Sequence, residues 1–437
     1  MSAVQPQPRP QTQKHSAKVV LGLRDERTLR RGDRGRRRAW RLACLASRAR
    51  PALPGLRARA REGPVLRARG DGPSRPDPTQ ADPAQADPSY ARAATALSAS
   101  SIRRQFSSPI NVRLSGYGIA LLRESKALFG ADAGLHEGGY LFLATEAGRE
   151  TLAANHAVQA AEGADIVWLE PQGLAATFPW LSTAGLAAGT WGRTGEGWFD
   201  GFGVMQAMRR QSRAAGVVWR AAEVARITVS GGRAREVVLA DGTAIAAGTV
   251  VSTAGTGAPR LLETAGLTLP VRARKRSVFF VRCPEAMPRF PLLIDPTGVW
   301  ARPEGPRFIC GVSPPEERDP DANADDFAPI HAEFEETVWP ALAARVPAFA
   351  RLRLERAWAG HYDLNLFNHN AFVGAAPGVP NLLLASGFSS HGLQQAPAIG
   401  RGLAELIAHG RWLTLDLSPL SPARFAAGRR LLERNVV

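Results

Sequence analysis

Apolar residues along the chain recur at two spacings, and each predicts a different element. Across residues 95–130 a polar stretch gives way to Val112, Ile119, Leu122 and Leu128 on one helical face, which predicts an amphipathic helix. The segment GGYLFLATEAGRETLAANHAVQAAEG (138–163) reads as a strand followed by a helix. Residues 202–215 carry helical spacing, 217–220 a short apolar run that predicts a strand, and two alternating runs meet at Gly231-Gly232 as a hairpin. TVVSTAG (249–255) predicts a buried strand, and a helix follows it. KRSVFFVRCP, GVWARP and RFICGVSPP predict strands of an antiparallel sheet. A polar loop at 313–325 precedes the helix IHAEFEETVWPALAARVP, and AFVGAAPGVPNLLLASGFSSHG reads as strand, loop, buried strand and glycine turn.

Two kinds of layer therefore alternate along one chain. The fold class is α/β, with a nucleotide-type layer interleaved with a sheet-based cap, each assembled from discontinuous segments. Parts of the first are expected at about 87–135, 195–266 and 370–437, and parts of the second at about 136–194 and 267–369. The length of 437 residues agrees with two to three domains.

Composition changes this picture at one end only. The formal charge is +16, yet residues 1–80 hold 18 Arg and 2 Lys against 6 acidic residues, a balance of +14. The body is close to neutral, so a reading as a basic-tailed nucleic-acid binder would rest on residues 1–80 alone, and no nucleic-acid partner is expected. Residues 1–80 contain one aromatic, Trp40, and Pro and Arg interrupt every periodicity. A disordered basic tail, an Arg-rich transit peptide and an out-of-frame translation of a GC-rich gene are the three readings; the last is favoured. No apolar run reaches the roughly 18 residues of a membrane span. Three cysteines without paired ligand spacing argue against a metal site and a disulfide framework, and lead to a cytoplasmic, reducing location as the expectation.

Four stretches could carry chemistry. GTVVSTAGTGAP (248–259) and NLLLASGFSSHGLQQAPAIG (381–400) are buried strands ending in small residues, and the second feeds a helix N-terminus beside His391. Such strand ends suit a dinucleotide, because small residues let the backbone approach it and a helix start favours an anion. The alternative is a tight strand-to-helix turn with no ligand. WAGHYD (358–363) groups aromatic and titratable side chains as a small-substrate pocket would, or as an aromatic packing cluster would. Arg103, Arg302 and the run Arg272–Arg276 are the basic candidates; Arg103 or Arg302 could hold a carboxylate by a two-pronged hydrogen bond, and a surface arginine is the default for each.

Taken together and in order, ALSASSIRRQFS, GYLFLA, GWFDGFGVMQAMRR, VVSTAG, RPEGPRFICGVSPP, WAGHYD and NLLLASGFSSHGLQQAPAIGRGLAELI resemble the D-amino-acid-oxidase-like FAD-dependent oxidoreductases. That group includes glycine oxidase, sarcosine oxidase and dimethylglycine dehydrogenase. The resemblance spans about residues 87–437. It implies a Rossmann-like FAD-binding domain, an antiparallel substrate domain, and oxidation of a C–N bond of an amine or amino acid by hydride transfer to the flavin. It implies flavin contacts for Ser100, Ser101, Ile102, Val224, Ala254, Gly255, Gly387, Phe388, His391, Gly392 and Leu393. It also implies that Arg103, with Arg302, grips a substrate carboxylate, while Tyr362, His361 and Gln394 line the substrate side. Ser390 stands where the family usually has glycine, and Gln394 where some relatives have lysine.

The departure lies at the start. The family opens on a strand, G-x-G-x-x-G and a helix, and none of these is legible before Asp87. The expectation is that the first βαβ unit is missing or out of frame. The other reading is a non-catalytic remnant or assembly-type protein that keeps the fold without holding FAD.

Overall fold

The computed structural model describes residues 19–22 and 90–435. The expectation that residues 1–80 form no packed domain lies outside the described residues, save for one strand, Val19–Gly22.

Two sheets organise the body. The first has four strands in the order Val19–Gly22, Thr249–Ser252, Val379–Ser386 and Phe372–Ala376. Its central pair is parallel, with Val250 opposite Leu382 and Ser252 opposite Leu384. Their paired centres, Val250-Val251 and Leu382–Leu384, are continuous apolar runs, as a strand covered on both faces requires. One face packs on a core of Val250, Leu261, Leu262, Leu382 and Leu384; the other packs on Ala398, Ile399 and Leu403 of the Gly392–His409 helix. Adjacent parallel strands end on the same sheet edge, so the turns at 253–255 and 387–391 lie next to each other.

The second sheet has eight strands, running from Arg353–Asn365 through Val271–Arg282 and Arg307–Val312 to Ile166–Leu169. Its pairs are antiparallel with one exception: Leu292–Ile294 runs parallel to Tyr140–Phe142. The cap is thus antiparallel as expected, with one parallel pair inserted in it. The parallel pair joins segments about 150 residues apart, so no hairpin constrains their direction. A three-stranded sheet is built on the Val224–Ser230 and Arg233–Leu239 hairpin, whose turn glycines Gly231 and Gly232 have φ of +58° and +68°.

One expected element is absent. Residues 217–220 form no strand, because Val217, Val218 and Trp219 lie exposed with no sheet edge beside them to satisfy their backbone. The predicted amphipathic helix is Pro109–Arg123, and Val112, Ile119 and Leu122 are buried on its inner face. It crosses the Gly392–His409 helix at Gly118, where a Cβ would come within 2.5 Å of the Gln394 carbonyl oxygen. That close approach sets the start of the second helix against residues 100–105. No helix among the described residues is long and apolar enough to cross a membrane.

Candidate active site

A cavity of about 220 Å³ opens where the two sheets meet. Three segments wall it: the loop 94–103, the facing ends of the Arg353–Asn365 and Val271–Arg282 strands, and the helix start at 390–394. Leu97, Val278, Leu292, Ile294 and Trp300 supply its apolar surface.

The helix start has unusual backbone geometry. Gly387 has φ +75°, and a Cβ there would meet Val271 at 2.9 Å, so only glycine fits. Ser389 and Ser390 also lie in the left-handed region, at +51° and +73°. Ser390 therefore holds the conformation a glycine would hold, at a cost of roughly 1 kcal/mol or more. The turn is tied down from the facing strand. Gly387 N–H donates to the Asp363 carboxylate at 2.6 Å, Ser389 N–H donates to the Asp363 carbonyl at 2.9 Å, and Asn365 N–H donates to Ser389 Oγ at 3.1 Å. Burial pushes the Asp363 carboxyl up to about 6, against the pull of the Gly387 and Phe388 N–H groups. The helix itself begins without a side-chain cap and without an acidic residue in its first turn. Its first N–H groups have no intrahelical partner and carry the positive end of the helix dipole toward the cavity.

Arg103 lies beside this helix start, 3% exposed. Its backbone N–H donates to Gln394 Oε1 at 2.9 Å, and its guanidinium packs on Phe106 and Phe142. The guanidinium donates to the Gln105 carbonyl at 3.1 Å, to His391 Nε2 at 3.0 Å and to the Asn435 carbonyl. All three partners are neutral, since burial and the Arg103 charge hold His391 well below its ordinary value. Burial likewise lowers Arg103 itself. The loop that presents Arg103 rests on Glu196, which accepts from the backbone N–H of Arg104 and Gln105 and from the Gln105 side chain. Burial raises the Glu196 carboxyl to about 7.

The other expected residues divide. Ser100, Ser101, Arg103, His361, Tyr362, His391, Gly392, Leu393 and Gln394 all line the cavity. Ile102, Gly387 and Phe388 stand directly behind it on the same turns, outside the lining. Ala254 and Gly255 end the neighbouring strand, and Val224 begins the hairpin sheet next to that core. Arg302 does not line the cavity: its guanidinium donates twice to the Ala99 carbonyl, at 2.9 and 2.6 Å, and pairs with Glu304. It supports the loop bearing Ser100, whose φ is +50°. Its polar atoms are spent on neighbours in the fold, which no spacing in the sequence reveals.

Arg276 was among the basic candidates only as one base of a run, and other contributors went unremarked. Arg276 and Tyr140 line the cavity, and the Ser252 and Ser386 hydroxyls are buried without a hydrogen-bond partner at the carboxyl ends of the paired parallel strands. The first serine was legible as part of VVSTAG and the second as part of NLLLASG, but an unpartnered hydroxyl is visible only in three dimensions.

The family model for FAD dependent oxidoreductases matches residues 84–406. The chain belongs to this family. FAD-dependent oxidoreductase domain-containing protein 1 of Xenopus laevis is 38% identical, over 78% of this chain and 76% of the relative; the Bos taurus protein is 37% identical over 78% of each. Among solved structures, L-proline dehydrogenase from P. horikoshii is similar at a TM-score of 0.67, with 24% identity over 75% of this chain and 87% of that one. Glycine oxidase from Geobacillus kaustophilus is similar at 0.64, with 23% identity over 74% and 86%. At such identities the likeness is one of fold.

Membership of this family makes FAD the cofactor to test against the residues present. The ring end fits. An uncapped helix start, a left-handed turn and two unpartnered buried hydroxyls stand together at the carboxyl edge of a parallel pair, where dinucleotides bind in such sheets. The pyrophosphate end is different. Val19–Gly22 runs antiparallel to Thr249–Ser252, with Val19 opposite Ser252, so its carboxyl end leaves the opposite edge of the sheet. Among the described residues, no glycine turn follows a first parallel strand at the ligand edge.

Proposed function

We propose that this chain oxidises a C–N bond in an amine bearing a carboxylate next to the nitrogen, an amino acid or its N-substituted relative, with FAD as cofactor. The observation that carries this reading is Arg103. It is a buried guanidinium on the cavity wall with three neutral partners and no ion pair among the described residues. A buried charge without a counter-charge is costly, and an anionic ligand relieves that cost. The names of the structural neighbours support the class: proline, glycine and iminodiacetate each carry a carboxylate beside nitrogen.

When bound, the flavin supplies the acceptor for the two electrons released from the substrate. The chain's own residues bind, orient and keep out water. Arg103 offers the carboxylate the N–H donors its present partners leave, on Nε and Nη1. His391, neutral and accepting from Arg103 through Nε2, fixes the guanidinium plane and leaves Nδ1 as its protonated nitrogen. The uncapped helix start at Gly392 would hold the ring end of the flavin, and its N–H groups would favour negative charge there. Leu97, Val278, Ile294 and Trp300 desolvate the reacting carbon.

The test is Arg103→Ala and Arg103→Lys in the full chain. KM for a carboxylate-bearing amine should rise by about two powers of ten in the first and partly recover in the second. An unchanged KM in Arg103→Ala would refute the reading. The antiparallel course of Val19–Gly22 favours a second reading, a chain of this fold that holds FAD weakly. Flavin absorbance of the purified protein decides between them: stoichiometric colour removes the second reading, and colourless protein that takes up FAD only at high concentration supports it.

A further inference from the structure

The cavity has a second guanidinium. Arg276 lines it beside Tyr362. Its Nη1 and Nη2 each donate to one carboxylate oxygen of Asp319 at 2.7 Å, Nη1 also donates to the Lys275 carbonyl at 2.8 Å, and Nη2 donates to the Tyr362 hydroxyl at 2.7 Å. Asp319 is buried behind this wall, and Arg274 lies 3.4 Å from it. The neighbouring pairs Lys275–Asp326 and Arg274–Asp321 join the same strand to the same loop, and Ala322 N–H donates to the Ala273 carbonyl. The loop 313–328 thus delivers its acidic side chains onto the basic run of the strand.

An amino acid entering this cavity meets two guanidinium groups among its lining residues. Were both available, its carboxylate could bind in either of two directions, and only one presents the same C–H bond to the cofactor. We propose that Asp319 is the residue that sets substrate orientation and specificity, by filling the fork of Arg276 so that Arg103 alone receives the carboxylate. The inference rests on the proposed carboxylate role of Arg103. With its charge matched, the Arg276 wall offers a neutral donor, the Tyr362 hydroxyl, whose oxygen accepts from Arg276 and whose proton is left for a partner. The wall therefore accommodates an uncharged or acceptor-bearing substituent and disfavours a second carboxylate.

The experiment titrates the full chain by calorimetry with acetate and with the dicarboxylates malonate, succinate and glutarate. The unaltered protein should bind no dicarboxylate more than about threefold tighter than acetate, little beyond the statistical factor of two for a ligand with two ends. In Asp319→Asn at least one dicarboxylate should gain about tenfold over acetate, the worth of one charge-assisted hydrogen bond converted to affinity. Asp319→Glu should behave as the unaltered chain. A dicarboxylate-to-acetate ratio that stays the same in Asp319→Asn overturns the proposal. Should Asp319→Asn fail to fold, the double variant Asp319→Leu with Arg276→Met removes both charges. It should keep acetate affinity and show no dicarboxylate gain, whereas a tenfold loss of acetate affinity would assign the carboxylate to Arg276 and overturn the proposal. Arg103→Ala checks the underlying reading separately. Retained acetate binding there, together with a dicarboxylate gain in Asp319→Asn, would refute the Arg103 assignment and leave the silencing of Arg276 standing.

Discussion

The two walls of the cavity are built from the same parts and differ in one. Each presents a guanidinium packed on an aromatic ring and hydrogen-bonded to a second side chain: Arg103 on Phe106 with His391, and Arg276 on Tyr362 with its hydroxyl. Arg276 has a carboxylate in its fork, whereas Arg103 has only neutral partners. Burial lowers Arg103, while Asp319 and Tyr362 outweigh burial and raise Arg276. Desolvation acts on both; Glu433 and Glu196 act on Arg103 only from a distance, whereas Asp319 hydrogen-bonds Arg276 directly. On the proposed function, the cation without an ion pair among the described residues is the one that receives the ligand.

The largest expected effect tests the Arg103 wall. Removing one partner of a desolvated charge pair costs about 2–5 kcal/mol, so Arg103→Ala should abolish measurable carboxylate binding in the millimolar range. Calorimetry with acetate reads this directly, and undiminished affinity would make the two walls equivalent.

The next concerns the anchor shared by both walls, Asp363. Its carboxyl is raised to about 6, so the folded chain holds that proton more tightly than the unfolded chain does. Its contribution to stability therefore grows as pH falls from about 6 toward the ordinary carboxylate value, and is constant above that window. The span corresponds to roughly 3 kcal/mol at most. Glu405 runs the other way: burial alone would raise it, but donors from Thr414, Arg401 and Leu413 bring it to about 2, so its contribution is lost at lower pH, between about 4.5 and 2. Comparing the unaltered chain with Asp363→Asn isolates the first effect. Between pH 7 and 4 the urea midpoint of the unaltered chain should gain on that of the variant as pH falls, and identical slopes would remove Asp363 from the account.

The smallest effect sharpens the Arg276 wall. Tyr362→Phe deletes the hydroxyl that accepts from Arg276 but leaves the Asp319 fork and the ring in place. A loss of about 1 kcal/mol is expected, in stability and in affinity for acceptor-bearing amines, with acetate binding unchanged. A fall in acetate affinity comparable to that of Arg103→Ala would place the carboxylate on the wrong wall.

Much of this was written in local sequence. Strand and helix periods marked the 140–161, 249–263 and 372–409 segments. The turn at 387–391 was legible because glycine and polar residues interrupt an apolar run. Arg103 could be singled out as a basic residue on a polar loop before a helix. Arg302 looked equivalent and is not, and Arg276 was one of several bases in a run. What holds each guanidinium is mostly far away in sequence: the Ala99 carbonyl for Arg302 beside its near neighbour Glu304, Asp319 for Arg276, and for Arg103 the His391 ring and the Asn435 carbonyl, with no ion pair among the described residues. The exposed apolar run at 217–220 misled for the same reason, since strand formation needs an edge that only the assembled sheet provides.

By itself the sequence determined which segments bury, with what period, and which side chains could carry charge, because these follow from nearest neighbours along the chain. Only the tertiary structure decided the direction of the edge strand at Val19–Gly22, the parallel pair in the larger sheet, and the pairing of each buried cation. Those depend on contacts closed across tens to hundreds of residues. Their energies come from which groups lose water together, and a one-dimensional pattern does not contain that information.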